Sequence, residues 1–224
     1  MEYLCGIKHQ ITMDYDISQS VPQGGFGTQD AENRRIEAIT DELRRRCELY
    51  EAQHGDSQPH VTPFEVEQRV AEAFAKEKGL WLPIDKVSEL GAPGPSGNEN
   101  DTYVSDDIIY KVNNLLNCGS ILRLFDKIRM HNEIFPDTYY QLYAFSGFDG
   151  RTIMPILKQD LVKGAEPTPQ IAIDTYMAAL GFNREEAAGH YSNEMYTVWD
   201  LIPRNVLRDR DGDIFVVDAE IKRK

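Results

Sequence analysis

The sequence predicts an α+β fold in which antiparallel strand pairs alternate with helices. Two observations predict it. Apolar, β-branched and aromatic runs come in pairs around turn signals: TYVS and IIYKV around Asp106-Asp107, YYQLYAF and TIMPILKQ around FDGR, and NVLRD and IFVVD around RDGD. Between the pairs lie stretches with a helical apolar period and their own start and stop signals. The resulting order is helix, hairpin, helix, hairpin, helix, hairpin, so antiparallel pairing dominates.

Each element has a local reason. Residues 18–29, SQSVPQGGFGTQ, are polar and glycine-rich and read as a linker. Residues 30–53 read as a helix that Asp30 can cap, with Ile36, Ile39, Leu43, Cys47 and Tyr50 in one stripe. That stripe is expected to lie on its own domain or on its equivalent in a partner chain, giving a homo-oligomer. A coiled coil needs three or more heptads and the stripe is shorter than that. HGDSQPH (54–60) is a second loop, so residues 1–60 form an N-terminal extension and 61–224 the main domain.

Thr62-Pro63-Phe64-Glu65 is a capping box with proline at the first helical position. Val66, Val70, Ala73 and Phe74 give the buried stripe of that helix, and Gly79 is its natural stop. The segment GAPGPSGNEND (91–101) is a Gly- and Pro-rich loop. Ser120 can cap a helix to about Ile134 with Ile121, Leu124, Phe125 and Ile128 on one face, ended by Pro136. Pro167-Thr168-Pro169 opens a helix through Tyr176 and Leu180 that stops at Gly181.

Bulk properties remove several function classes. Apolar residues make up 41% and charged residues 27%, an ordinary soluble mix, and no apolar run is long enough to span a membrane. The N-terminus MEYLCGIKHQ lacks the layout of a secretory signal. Three scattered cysteines, Cys5, Cys47 and Cys118, form no CxxC pair, which argues for a reducing, cytoplasmic setting and against a zinc site. A net charge of −13 disfavours nucleic acid as a partner, because phosphate neutralisation needs a basic face.

The chemistry concentrates near the C-terminus. Lys111 lies mid-strand in IIYKV, where a charged residue in an apolar run calls for a partner. Asp200 and Asn205 stand in a D-x-x-x-x-N spacing, and Asp218 follows four apolar residues that deliver it to a strand end. Phosphoryl transfer from ATP needs such a set: a lysine on the phosphates, a carboxylate for Mg²⁺, a second carboxylate for the attacking hydroxyl and an amide beside it. The DRDGD segment does not fit a calcium loop. Gly212 follows the second acid and no glutamate closes the motif, so a hairpin turn is expected.

DLIPRNVL followed by IFVVDAE resembles the catalytic and metal-binding loops of the protein-kinase-like superfamily, near its aminoglycoside and choline kinase branch. With GNENDTYVSDDIIYKVNN, RMHNEIFPDTYYQLYAF, PILKQDLVKGAEPTPQI and MAALGF, residues 62–221 resemble the serine/threonine/tyrosine kinase domains found in polyvalent proteins of phages and conjugative elements. The resemblance implies a minimal kinase-like fold, with an antiparallel N-lobe sheet, a strongly reduced C-lobe and an N-terminal helical extension. It implies Lys111 on the ATP phosphates, Asp200 as catalytic base, Asn205 as a metal ligand and Asp218 as the principal Mg²⁺ ligand. Gly94, Gly97 and Asn98 would sit in the loop over the nucleotide. Asp160 and Val162, in the QDLVKG segment, would belong to the hinge that bonds adenine through its backbone.

The sequence also departs from the kinase pattern. Val198 and Trp199 precede Asp200 where kinases carry histidine and arginine, and prolines stiffen the glycine-rich loop. The acid paired with Lys111 is open between Glu133, the preferred choice, Asp126 and Glu99. The face beyond Asp218 is expected to be open. The reading is an ATP- and Mg-dependent phosphotransferase with a protein hydroxyl as acceptor. Its alternatives are an inactive nucleotide-binding module and a small-molecule kinase of the aminoglycoside type.

Overall fold

A computed structural model describes residues 26–54, 60–148 and 152–224. The stretches 18–25 and 55–59, Cys5 and the FDGR turn beyond Phe148 lie outside the described residues.

Helix α1 (Phe26–His54) is longer than the expected helix and takes in the end of the glycine-rich stretch. Tertiary contact explains the early start, since Gln29 donates to the carbonyl of Asn132 at 2.6 Å. Helix α2 (Pro63–Glu77) begins at the full capping box: the Glu65 amide donates to Thr62 Oγ1 and the Thr62 amide to Glu65 Oε2. Gly79 follows the helix with φ 66°, a left-handed value that suits glycine. Strands β1 (Ala92–Pro93), β2 (Asn100–Ser105) and β3 (Ile108–Asn113) follow. Helix α3 (Ile121–Ile134) is capped by Ser120, and Glu67 of α2 reaches across to accept from the Ser120 hydroxyl and the Ile121 amide. Strands β4 (Gln141–Phe148) and β5 (Thr152–Asp160) complete a five-stranded antiparallel sheet in the order β1-β2-β3-β5-β4.

The rest of the chain is built from shorter pieces. Strand β6 (Glu166–Pro167) precedes α4 (Gln170–Ala179), then come β7 (Asn183–Arg184), β8 (Tyr191–Ser192) and β9 (Tyr196–Trp199). Strands β10 (Val206–Arg208), β11 (Ile214–Val216) and β12 (Glu220–Arg223) end the chain. They form a three-stranded sheet β11-β10-β6 and a four-stranded sheet β12-β9-β8-β7. The RDGD segment is the expected hairpin turn: Asp209 Oδ1 accepts from the amides of Asp211 and Asp213.

One core lies between α1, α2, α3 and the five-stranded sheet, with Ile36, Leu43, Phe125, Phe145 and Ile153 fully buried. The α1 stripe therefore packs within its own chain. A second core joins α4 to the small sheets through Ile173, Met177, Tyr191, Val198 and Leu201. Among the described residues, no helix is long and apolar enough to cross a membrane.

Candidate functional site

A cleft of about 560 Å³ lies between the five-stranded sheet and the loops of the second layer. Lys111, Asp200, Asn205 and Asp218 all line it, with Gly97, Asn98 and Glu99 from the loop before β2 and Glu220 from β12.

Lys111 stands in the middle of β3, opposite Thr102 of β2 and Leu157 of β5. Its ammonium donates to the carbonyl of Val217 at 2.7 Å and to the Tyr140 hydroxyl at 2.9 Å, and lies 4.7 Å from the centre of the Tyr140 ring. Burial pushes its pKa down, and Asp218 is the carboxylate that most opposes the shift. Tyr140 itself is buried, its hydroxyl pKa raised by that burial and by Asp218.

The loop that carries Asp200 and Asn205 is tightly cross-bonded. Asp200 has φ 60°, a left-handed conformation that costs a non-glycine residue free energy and that surrounding bonds must hold. The Asn205 side chain supplies two of them: Nδ2 donates at 2.8 Å to both the backbone carbonyl and the carboxylate of Asp200. The Asn205 carbonyl accepts from the amides of Val217 and Asp218, so the same residue anchors the segment that presents Asp218. A D-x-x-x-x-N spacing works here because a 3₁₀ turn at Pro203–Asn205 folds the asparagine back onto the aspartate.

Other sequence-derived candidates stand elsewhere. Glu133 lies on a different face of α3, half exposed, 4.0 Å from Arg223. Asp126 pairs with Arg44 of α1 at 3.4 Å. Of the three acids considered for Lys111, Glu99 alone lines the cleft, and its carboxylate accepts from Asn117 and Cys118 and pairs with Lys127. Gly94 is held on β2 by a hydrogen bond that its amide donates to the Thr102 carbonyl. A Cβ there would approach Thr102 Oγ1 to 2.6 Å, so its place is a packing requirement. Asp160 is exposed at the end of β5 and Val162 follows it half-buried, and neither lines the cleft. Lys163 pairs with Asp107 beside them, and the Leu161 amide donates to the Asp107 carbonyl at 2.7 Å.

Sequence reasoning missed Tyr140, Lys127 and Glu220. Lys127 is buried on α3, 2.7 Å from Glu220 Oε1 and 3.4 Å from Glu99 Oε2. Its burial works to lower its pKa, but the carboxylates of Asp218, Glu99 and Glu220 outweigh that and hold it above the usual lysine value. The signal was present: a lysine sits within the buried stripe of Leu124, Phe125 and Ile128.

A model of one protein family, described as serine/threonine/tyrosine kinase found in polyvalent proteins, matches residues 65–224. No curated protein and no solved structure matches the chain.

Proposed function

The chain belongs to the serine/threonine/tyrosine kinases found in polyvalent proteins, and on that premise we propose that it is an ATP- and Mg-dependent phosphotransferase whose acceptor is a protein hydroxyl. The observation that carries the reading is that Lys111, Asp200, Asn205 and Asp218 line one cleft. In this reading the five-stranded sheet with α3 is the nucleotide lobe, and α4 with the small sheets is a reduced second lobe.

The donor set fits the reactants. Magnesium binds through one or two protein oxygens plus phosphate oxygens and water, and the Asp218 carboxylate with the Asn205 amide oxygen supplies such a pair. Bound there with the nucleotide, the ion would neutralise charge on the phosphates. Lys111 would hold the phosphates from the sheet side. Asp200, about two-fifths exposed at the cleft, would accept the proton of the incoming hydroxyl. Tyr140 fixes the Lys111 ammonium, and Asn205 fixes Asp200.

The second reading, a module that binds nucleotide without transferring, is favoured by one contact. Arg204 lies 3.8 Å from Asp200 and competes for the carboxylate that the hydroxyl would use.

Two measurements test the readings, the first both together and the second the transfer that divides them. ATP with Mg²⁺ should raise the melting temperature, because a ligand that binds the folded state alone stabilises it. Lys111→Ala and Asp218→Ala should each remove most of that rise, and no shift at millimolar ATP would sink both readings. Labelled ATP should then report transfer, and Asp200→Asn should lower it about 10²- to 10⁴-fold while nucleotide binding stays near the parent's. Undiminished transfer in that variant would remove the role given to Asp200.

A further inference from the structure

We infer that Lys127 is a positioning residue: its ammonium fastens the loop over the cleft, through Glu99, to the strand that follows Asp218, through Glu220. The inference rests on the kinase reading and deepens it, by naming what sets the spacing between the nucleotide loop and the metal-binding segment.

The geometry is that of a latch. Glu99 is fixed to the segment after β3, because its carboxylate accepts from Asn117 Nδ2 at 3.0 Å and its carbonyl from the Asn114 amide at 2.9 Å. Glu220 is fixed on the other wall, in register with Trp199 of β9. Lys127 is the cation between them, with its side chain about nine-tenths buried. Without it, Glu99 and Glu220 would be left as like charges near Asp218 with reduced access to water, and they would push the walls apart. The loop that the latch holds has other ties, all of them neutral: Gly97 donates to the Asn100 carbonyl, the Thr102 amide to Ser96 Oγ at 3.3 Å, Thr102 Oγ1 to the Pro95 carbonyl at 2.9 Å and Asn114 Nδ2 to the Asn98 carbonyl at 2.7 Å, so Lys127 supplies the cationic one. The two buried lysines thus divide the work. Lys111 bonds a carbonyl and a phenol, so its ammonium can be recruited by phosphate, whereas Lys127 is committed to two carboxylates.

A lysine that served overall stability alone would change the melting temperature without singling out this loop. Hydrogen exchange on the nucleotide-free protein distinguishes the two roles. In Lys127→Met the amides of 97–102 should exchange about tenfold faster than in the parent, in excess of any global change, because loss of a buried pair opens the segment it tied. Lys127→Arg should restore protection. With Mg-ATP, Lys127→Met should raise KM for nucleotide about tenfold with a smaller effect on kcat, the pattern expected when uniform binding is lost. If Lys127→Met does not fold, Glu99→Gln serves. It keeps an acceptor for Asn117 but weakens the pairing, and it should raise exchange in the same residues to a smaller degree. Exchange equal to the parent's in the variant that folds, or Lys127→Arg behaving as Lys127→Met, would overturn the inference. The exchange arm needs no nucleotide, so a protein that fails to bind ATP would sink the kinase reading and leave the latch to be judged on exchange alone.

Discussion

The layer before Asp160 puts Lys111 into the cleft from the middle of a six-residue strand, whereas the layer after it presents Asp200, Asn205 and Asp218 from turns between short strands. The first layer has helices of 29, 15 and 14 residues over a five-stranded sheet, and its positions are set by bulk packing. The second has one helix of 10 residues and strands of two to four, and its positions are set by individual hydrogen bonds, above all those of Asn205. A precise loop does not need a large core under it, provided each strained residue has a named partner. Damage should therefore differ: core changes in the first layer unfold the protein, and single polar changes in the second disable the site.

The sharpest way to break that contrast is to remove the first 60 residues. Ile36, Ile39 and Leu43 of α1 are buried in the first core beside α2 and α3. Each such side chain stabilises by about 1.5–3 kcal/mol on full burial. Losing all three approaches the total stability of a domain, about 5–15 kcal/mol. A chain beginning at Val61 should show no cooperative thermal transition by circular dichroism. A sharp melt near the parent's temperature would mean that the first layer does not depend on α1.

The same contrast explains what could be read beforehand. Helices α2 and α3 announce themselves by period and caps, α4 by its opening prolines and the glycine that stops it, and the three hairpins by paired apolar runs and turns. Strands β7, β8 and β9 were not legible, because two to four residues show no period and their partners are distant in sequence. The end of the glycine-rich stretch reads as linker yet is helical from Phe26, because contact between Gln29 and α3 overrides local propensity. At the site, the four residues Lys111, Asp200, Asn205 and Asp218 share one cleft, and they were legible as a group because a mid-strand lysine, a D-x-x-x-x-N spacing and a strand-end aspartate stand out in sequence. Helix phase takes Glu133, the preferred sequence candidate, away from Lys111. Six residues beyond Lys127, Glu133 is turned about 120° around α3 from the side chain that pairs with Glu99 and Glu220.

A smaller effect concerns acid stability, which should be governed by the first layer. His131 of α3 is fully buried, its pKa lowered to about 3 by burial and by the nearby Lys111 ammonium. Its Nε2 stands 3.2 Å from the Thr138 carbonyl. The unfolded state, with an ordinary histidine pKa near 6.5, binds a proton that the folded state refuses. Its contribution to stability is therefore full above about pH 6.5 and falls as pH drops toward 3, by about 1.4 kcal/mol per unit. Urea melts between pH 7 and 4.5 should show this slope, and His131→Gln should flatten it. An unchanged slope in the variant would assign the acid sensitivity to the carboxylates.

The smallest effect tests how the two layers start their helices. Helix α2 opens on Thr62, whose hydroxyl accepts from the Glu65 amide at 3.2 Å, while α4 opens on Pro169 with no side-chain cap. Thr62→Ala removes that acceptor and breaks the reciprocal box, leaving the helix amide to exposed solvent, where water partly replaces the bond. The expected loss is about 1 kcal/mol. Thr62→Ser keeps the acceptor and should stay within about 0.5 kcal/mol of the parent, a serine being as good a cap as threonine. The measurement is the urea midpoint at pH 7, where Glu65 is charged. Its carboxyl pKa is already held low, first by the bond from the Thr62 amide and next by that from the Thr62 hydroxyl. In Thr62→Ala the amide bond can persist and the hydroxyl bond cannot, so the low pKa should relax only in part toward the ordinary glutamate value. Equal midpoints for the alanine and serine variants would show that the box adds nothing beyond Pro63 and the packing of α2 on α1.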